Sequence, residues 1–418
     1  MNSKTRIFWG WYIVFGAFLM LAITYGARYS FGVFVRPMFA EYGWPMSVIS
    51  IGASLNVLIY ATASILCGRI IDRCSPQWMI TIGGIFGAVG FFLTSMAQTP
   101  IQFYLAYGVM CGLGTACAGY VVTGASVGKW FVRKKGIAVG LAVTGIGFGT
   151  MTMSPLAGYI VKHYHWSQGF VVFGVLLLVV CTLSAQFLMK RTIPEDYGLF
   201  PDGDDSVTTA HRGDSLPTGE PKVSLSSVTR SSTFWIMAVC FSIGIMAEMM
   251  AFVHQVVYAV NINIEKIAAA SSLGLIGVGS IFGRFFFGWL CDVFTDPKYS
   301  ASLGLLFTAL GMLMLLNISS AADLYIYSLV FGFGYGSYAP VMPALLSDRF
   351  GRGVLGSALG LLIFFTTGIG GGMGPLIGGL IYDAFGTYTF AWLFNVVMLL
   401  TVSLLILTIK PKNRLQGL

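Results

Sequence analysis

Charged residues are scarce in this sequence. Asp, Glu, Lys and Arg make up 10% of 418 residues, against about a quarter in a soluble domain. With 56% hydrophobic residues and a mean hydropathy of +0.81, that scarcity excludes a water-soluble globule. Cysteine is sparse and odd in number, seven residues set in apolar segments or at one set of helix ends, so no disulfide framework is readable. No G-x-x-x-x-G-K-[ST] occurs, which excludes an ATP-driven pump. The Cys, His and carboxylate residues lack metal-ligand spacing, so neither metal nor cofactor is implied. The 53 glycines follow no G-x-y period, which excludes collagen.

What the chain has in abundance is long apolar runs. They fall at roughly 8–36, 47–71, 78–97, 102–128, 136–161, 168–189, 232–260, 268–291, 300–319, 323–347, 354–382 and 388–409. About 20 helical residues cross a bilayer core, so the expected fold is an all-α membrane protein of twelve transmembrane helices in two six-helix bundles. The bundles are expected at 1–189 and 232–418. Between them, 190–231 carries Glu195, Asp196, Asp202, Asp204, Asp205, Asp214 and Glu220 among Ser, Thr, Pro and Gly, which reads as a cytoplasmic linker. The start, Lys4 and Arg6 before an apolar run past residue 30, reads as a retained first span rather than a signal peptide.

The net charge of +8 raises nucleic acid as a partner, and the distribution of that charge excludes it. Nineteen of the 24 Lys and Arg sit at the termini and in the loops after spans 2, 4, 6, 8 and 10; Arg36, Lys162 and Lys266 sit on the other side. The positive-inside rule therefore predicts a multi-pass cell-membrane protein with both termini cytoplasmic. No partner protein is readable. The halves also match at an offset of 220 residues. Gly112 and Gly114 answer to Gly332 and Gly334, while Gly136, Ala138, Gly140, Leu141, Pro155, Leu156 and Gly158 answer to Gly356, Ala358, Gly360, Leu361, Pro375, Leu376 and Gly378. Parallel repeats of this kind place a site at their interface and alternate its access by rocking. The expectation is a transporter, not an enzyme.

Certain segments carry a family resemblance. Gly68-Arg69-Ile70-Ile71-Asp72-Arg73, echoed by Gly288-Trp289-Leu290-Cys291-Asp292, resembles the loop signature of the major facilitator superfamily. Trp130 to Ala142, an aromatic and basic stretch leading into a Gly- and Ala-rich helix, resembles the monocarboxylate transporter signature entering span 5. Trp9-Gly10-Trp11 resembles that family's other signature without its preceding acid, and Gly374-Pro375-Leu376, Asp383 and Gly386 fit as well. The resemblance implies gating by Gly68, Asp72, Arg73, Gly288 and Asp292 as conformational latches, and a cavity lined by spans 1, 4, 7 and 10.

Within the spans, Arg284 is the leading candidate. It lies about 12 Å from the end of span 8, too deep to reach headgroups easily, and a guanidinium there stays ionised and needs a partner. Its fork suits a carboxylate. The resemblance agrees, because monocarboxylate transporters align a substrate-binding arginine here, but the aspartate four residues earlier is replaced by Ser280 and the family's span 1 lysine by Tyr29. Proton coupling then falls to His254 or Glu248 in span 7. Tyr120, Tyr335, Tyr338 and Tyr29 are candidate substrate-binding residues, as is His254, with Phe364 and Phe365 walling the apolar side. Arg28 is expected to snorkel to the outer surface. With a single central cation, the expected cargo is a small carboxylate with a proton, lactate- or pyruvate-like; an organic anion exchanger of the oxalate/formate type is the alternative.

Overall fold

The computed structural model describes residues 8–71, 75–131, 135–189, 194, 225–294, 296–351 and 354–410, and every regular element among them is helical. Among the described residues, twelve helices are long and apolar enough to cross a membrane. In chain order they are α1 (Trp9–Tyr42), α2 (Met46–Gly68), α3 (Pro76–Ser95), α4 (Pro100–Trp130), α5 (Ile137–His163), α6 (Trp166–Leu188), α7 (Ser232–Asn261), α8 (Lys266–Cys291), α9 (Pro297–Leu315), α10 (Ala321–Phe350), α11 (Ala358–Phe385) and α12 (Thr389–Thr408). A short helix, Leu225–Arg230, lies in the segment between the halves; 195–224 lies outside the described residues.

Helix packing repeats between the halves. α1 packs on α5 as α7 packs on α11, α3 on α6 as α9 on α12, and α2 on α4 as α8 on α10. The two halves meet along α5 with α8 and along α2 with α11, which are equivalent seams. The 220-residue offset has a physical basis in this packing. A Cβ on Gly112 would come within 3.0 Å of the Asn56 carbonyl on α2, and one on Gly332 would run into the Ile276 backbone on α8. Gly114 lies likewise against Gly87 of α3, and Gly334 against Thr308 of α9. Membrane helices gain little from burying apolar surface against each other, so close approach over small residues supplies the contact.

Three of the helices that meet at the centre are broken near mid-length. α1 turns at Ser30–Phe31 between Trp9–Tyr29 and Gly32–Tyr42. α4 breaks at Gly119 and restarts at Tyr120; α10 breaks at Ser337 and restarts at Tyr338. Irregular backbone at membrane depth is tolerated where protein or a cavity covers it, and such breaks mark binding sites in transporters. The start of α1 and the ends of α6 and α12, the outermost described parts of the two halves, share one end of the bundle. At the opposite end, the Asp383 carboxylate accepts the backbone N–H groups of Met46 and Ser47, each at 2.9 Å. Arg36 Nη1 donates to Asn261 Oδ1 at 2.7 Å, and Lys162 pairs with Glu265 at 2.6 Å. Each contact joins the first half to the second, so this end is closed.

Candidate functional site

A cavity of about 560 Å³ lies between the halves. Its lining comes from Tyr25, Arg28 and Tyr29 on α1, Tyr60 on α2, Tyr120 on α4, Glu248 on α7, Arg284 on α8, Tyr335 and Tyr338 on α10 and Thr367 on α11. Val139, Val143 and Ile146 of α5, with Met342, Leu359 and Ile363, make an apolar wall. The lining stretches of α5, α8 and α10 run from mid-helix toward the termini end, so the cavity occupies the half of the molecule opposite the closing contacts.

Arg284 extends from α8 to α5, where its Nη1 donates to the Val143 carbonyl at 3.0 Å. Its guanidinium carbon lies 6.0 Å from the centre of the Tyr335 ring, and its buried Nε has no hydrogen-bond partner. Glu248 is 1% exposed. Its carboxylate feels both Arg284 and Arg28, the hydroxyls of Tyr335 and Tyr29 flank it as donors, and its Oε2 is buried without a partner. The acid that accompanies the arginine therefore comes from α7 rather than from the preceding turn of α8, where Ser280 bonds back to the Gly277 carbonyl at 2.8 Å.

Arg28 corrects an expectation. It is 7% exposed, lines the cavity, and stacks its guanidinium over the Tyr60 ring at 4.6 Å, rather than snorkelling outward. The helix continues 14 residues beyond it to Tyr42, about 21 Å at 1.5 Å per residue, so the outer surface is out of reach. Its Nη2 is buried and unpartnered. The centre thus holds two cations and one acid, not one cation. Spacing carried a signal for this group: Tyr25, Arg28 and Tyr29 stand at i, i+3 and i+4, one face of a helix.

The tyrosines divide by hydrogen bonding. Tyr25 and Tyr60 hydroxyls pair at 2.6 Å. Tyr338 donates to Thr308 Oγ1 at 3.1 Å, so it offers the cavity its ring more than its proton. Tyr29 stacks on Phe252 at 4.3 Å, joining the halves beside Glu248. Tyr120, Tyr335, Tyr338 and Tyr29 are thus brought together with Arg284.

His254, Phe364 and Phe365 are not among the cavity-lining residues. His254 is fully buried; its Nε2–H donates to the Pro375 carbonyl at 2.8 Å and its Nδ1 accepts from the Tyr388 hydroxyl at 3.0 Å. Both ring nitrogens are thus engaged by protein partners, from α11 and the turn before α12. Phe365 packs on Trp235, ring centres 5.0 Å apart, and Phe364 on Phe365 at 5.5 Å; the wall of α11 comes from Leu359, Ile363 and Thr367 instead. Of the gating residues, Gly68 faces Val121 and Gly288 faces Pro340 across ordinary contact distances. Asp72 and Arg73 lie outside the described residues, as does the Asp292 side chain.

Comparison with known proteins fits this geometry. The family model of the Major Facilitator Superfamily matches residues 17–366 and 267–417. The chain is 28% identical over 404 residues to bovine monocarboxylate transporter 13, covering 96% of this chain and 89% of that one. It is 28% identical to mouse monocarboxylate transporter 4, covering 96% and 83%, and 27% identical to zebrafish monocarboxylate transporter 12-B, covering 96% and 87%. A crystal structure of a bacterial homologue of the human lysosomal transporter Spinster, inward-facing and unoccupied, superposes with a TM-score of 0.74 at 15% identity over 97% of both chains. That likeness concerns the fold alone. With a match across the chain and twelve spanning helices in two equivalent bundles, this protein belongs to the Major Facilitator Superfamily and is related to its monocarboxylate transporters.

Proposed function

We propose that the protein moves a small monocarboxylate, lactate- or pyruvate-like, together with a proton across the cell membrane by alternating access, with its termini in the cytoplasm. The observation that carries this is the set of buried, unsatisfied charged atoms on three residues that line one cavity: Arg284 Nε, Arg28 Nη2 and Glu248 Oε2. Buried polar atoms are nearly always paired, and unpaired charges at membrane depth mark substrate pathways. A carboxylate supplies the missing acceptor for the guanidiniums.

Charge arithmetic gives the coupling. Two arginines and an ionised Glu248 leave the empty site at +1. A singly charged acid brings it to zero, and a proton on Glu248 returns it to +1. The empty and the doubly loaded protein then carry the same charge, so the cycle moves no net charge across the membrane. Glu248 is the proton carrier in this reading, because His254 has both ring nitrogens occupied.

A second reading, exchange of organic anions of the oxalate/formate type, draws support from Arg28, whose added charge suits a dianion when Glu248 is protonated. Uptake of labelled short acids into proteoliposomes separates the two. Proton-coupled symport predicts accumulation that follows an imposed inward proton gradient and ignores membrane potential. Uptake that requires internal substrate and ignores pH contradicts symport and favours exchange.

A further inference from the structure

Val139, Val143 and Ile146 stand at i, i+4 and i+7 on α5, one face of a helix, and all three line the central cavity. Leu359 and Ile363 repeat the i, i+4 spacing on α11 and line it too. All but Ile146 are only half-buried, so helix packing leaves their apolar surface uncovered. This wall reaches the cation directly, since Arg284 Nη1 donates to the Val143 carbonyl at 3.0 Å. Beside Val139, Gly140 also lines the cavity, and a Cβ built on it would meet nothing within 4 Å. Glycine thus leaves a slot where any other residue would put a side chain. Glu248 and Arg28 lie deeper by helix position, on the closed side of Arg284. An apolar group attached to a carboxylate on Arg284 therefore finds its surface on the other side, along α5 and α11. There is room for it, because a cavity of about 560 Å³ holds roughly eighteen waters at about 30 Å³ each, far more than a three-carbon acid displaces.

We infer that the site prefers monocarboxylates with an unbranched apolar tail over three-carbon acids, the tail lying in the slot beside Gly140 and the carboxylate on Arg284. It rests on the monocarboxylate reading of the same cavity and names which acids that cavity favours. Val139 stands one turn from Val143, about 6 Å at 1.5 Å per residue. An extended chain advances about 1.2 Å per bond, so about five bonds carry a tail from the arginine to Val139, the length of hexanoate. Lactate and pyruvate fill only the polar end and leave the wall wet. The tail is uncharged, so the charge balance of the proton-coupled cycle is the same for short and long acids.

Calorimetric titration of the purified full-length protein with propionate, butanoate, pentanoate, hexanoate and octanoate, at one pH where all are ionised, tests this. Affinity is expected to rise up to about fourfold per methylene, so that hexanoate binds roughly 10- to 60-fold tighter than propionate, and to level off at octanoate. In Gly140→Leu the new side chain occupies the slot, and the ratio of hexanoate to propionate affinity is expected to fall below about threefold. A flat native series overturns the inference even if the variant does not fold. An unchanged ratio in a folded Gly140→Leu overturns it as well, because the tail then lies on detergent or on another surface. Binding of propionate without the rise sinks this preference alone and leaves the monocarboxylate reading standing. If neither lactate nor any acid of the series binds, that reading falls and takes the inference with it.

Discussion

Arg284→Lys keeps the positive charge and removes the fork. In the native protein Nη1 is already committed to the Val143 carbonyl at 3.0 Å, and Nε is the buried donor without a partner. A bound carboxylate therefore takes Nε and Nη2 and leaves the Val143 tether intact. A lysine has one nitrogen for both tasks, so it surrenders at least one charge-assisted hydrogen bond, worth about 1.5–3 kcal/mol. At about 1.4 kcal/mol per tenfold, lactate affinity should fall roughly 10- to 150-fold. The assay is equilibrium binding to purified protein, with helical content measured in parallel so that misfolding is recognised. Affinity within about twofold of native, in a folded variant, would refute the placement of the carboxylate on this guanidinium. A drop in stability without a drop in affinity would assign the arginine to holding α8 against α5.

The closed end rests on few contacts. Asp383→Asn weakens the bonds from the first turn of α2 to α11, a capping interaction worth about 0.5–2 kcal/mol. Backbone hydrogen exchange at residues 46–49 should then quicken, and unchanged exchange contradicts the latch. Gly149 lies against the Ala22 backbone, on the face where Gly145 lies against Phe18. Gly149→Leu should therefore lower the melting temperature sharply, overpacking costing about 1–3 kcal/mol or more; a native melting curve contradicts the close packing of α1 on α5. Cys67 and Cys117 place their Sγ atoms 3.6 Å apart on α2 and α4, within one half. Mild oxidation should cross-link them, seen by mass spectrometry, and transport should survive because rocking moves each half as a body. Loss of transport on cross-linking contradicts rigid-body motion of that half.

The fold was legible because hydrophobic length is a strong signal: an apolar run near 20 residues has few uses outside a bilayer. Arg284 was legible for the complementary reason, since a charge inside such a run stands out. Arg28 stood out equally and was misplaced: about 20 residues into its span, roughly 30 Å up, it reads as near the outer surface, whereas α1 runs on to Tyr42. The nearness of Glu248 to Arg284 comes from tertiary packing. The acid lies 36 residues away on another helix, while Ser280, at the aligned position, turns its hydroxyl into its own helix. His254 misled for the opposite reason. Titratability is visible in sequence, whereas the Pro375 carbonyl and the Tyr388 hydroxyl that occupy its ring come from α11 and the turn before α12. Phe364 and Phe365 lie on a π-helical turn, Phe364–Gly371, whose extra residue per turn shifts which side chains face the cavity.

The most direct test is a structure of the native full-length protein with lactate bound. The carboxylate should lie within about 2.7–2.9 Å of the Arg284 guanidinium. Density for the acid beside His254, or anywhere outside the cavity between the two halves, would contradict it.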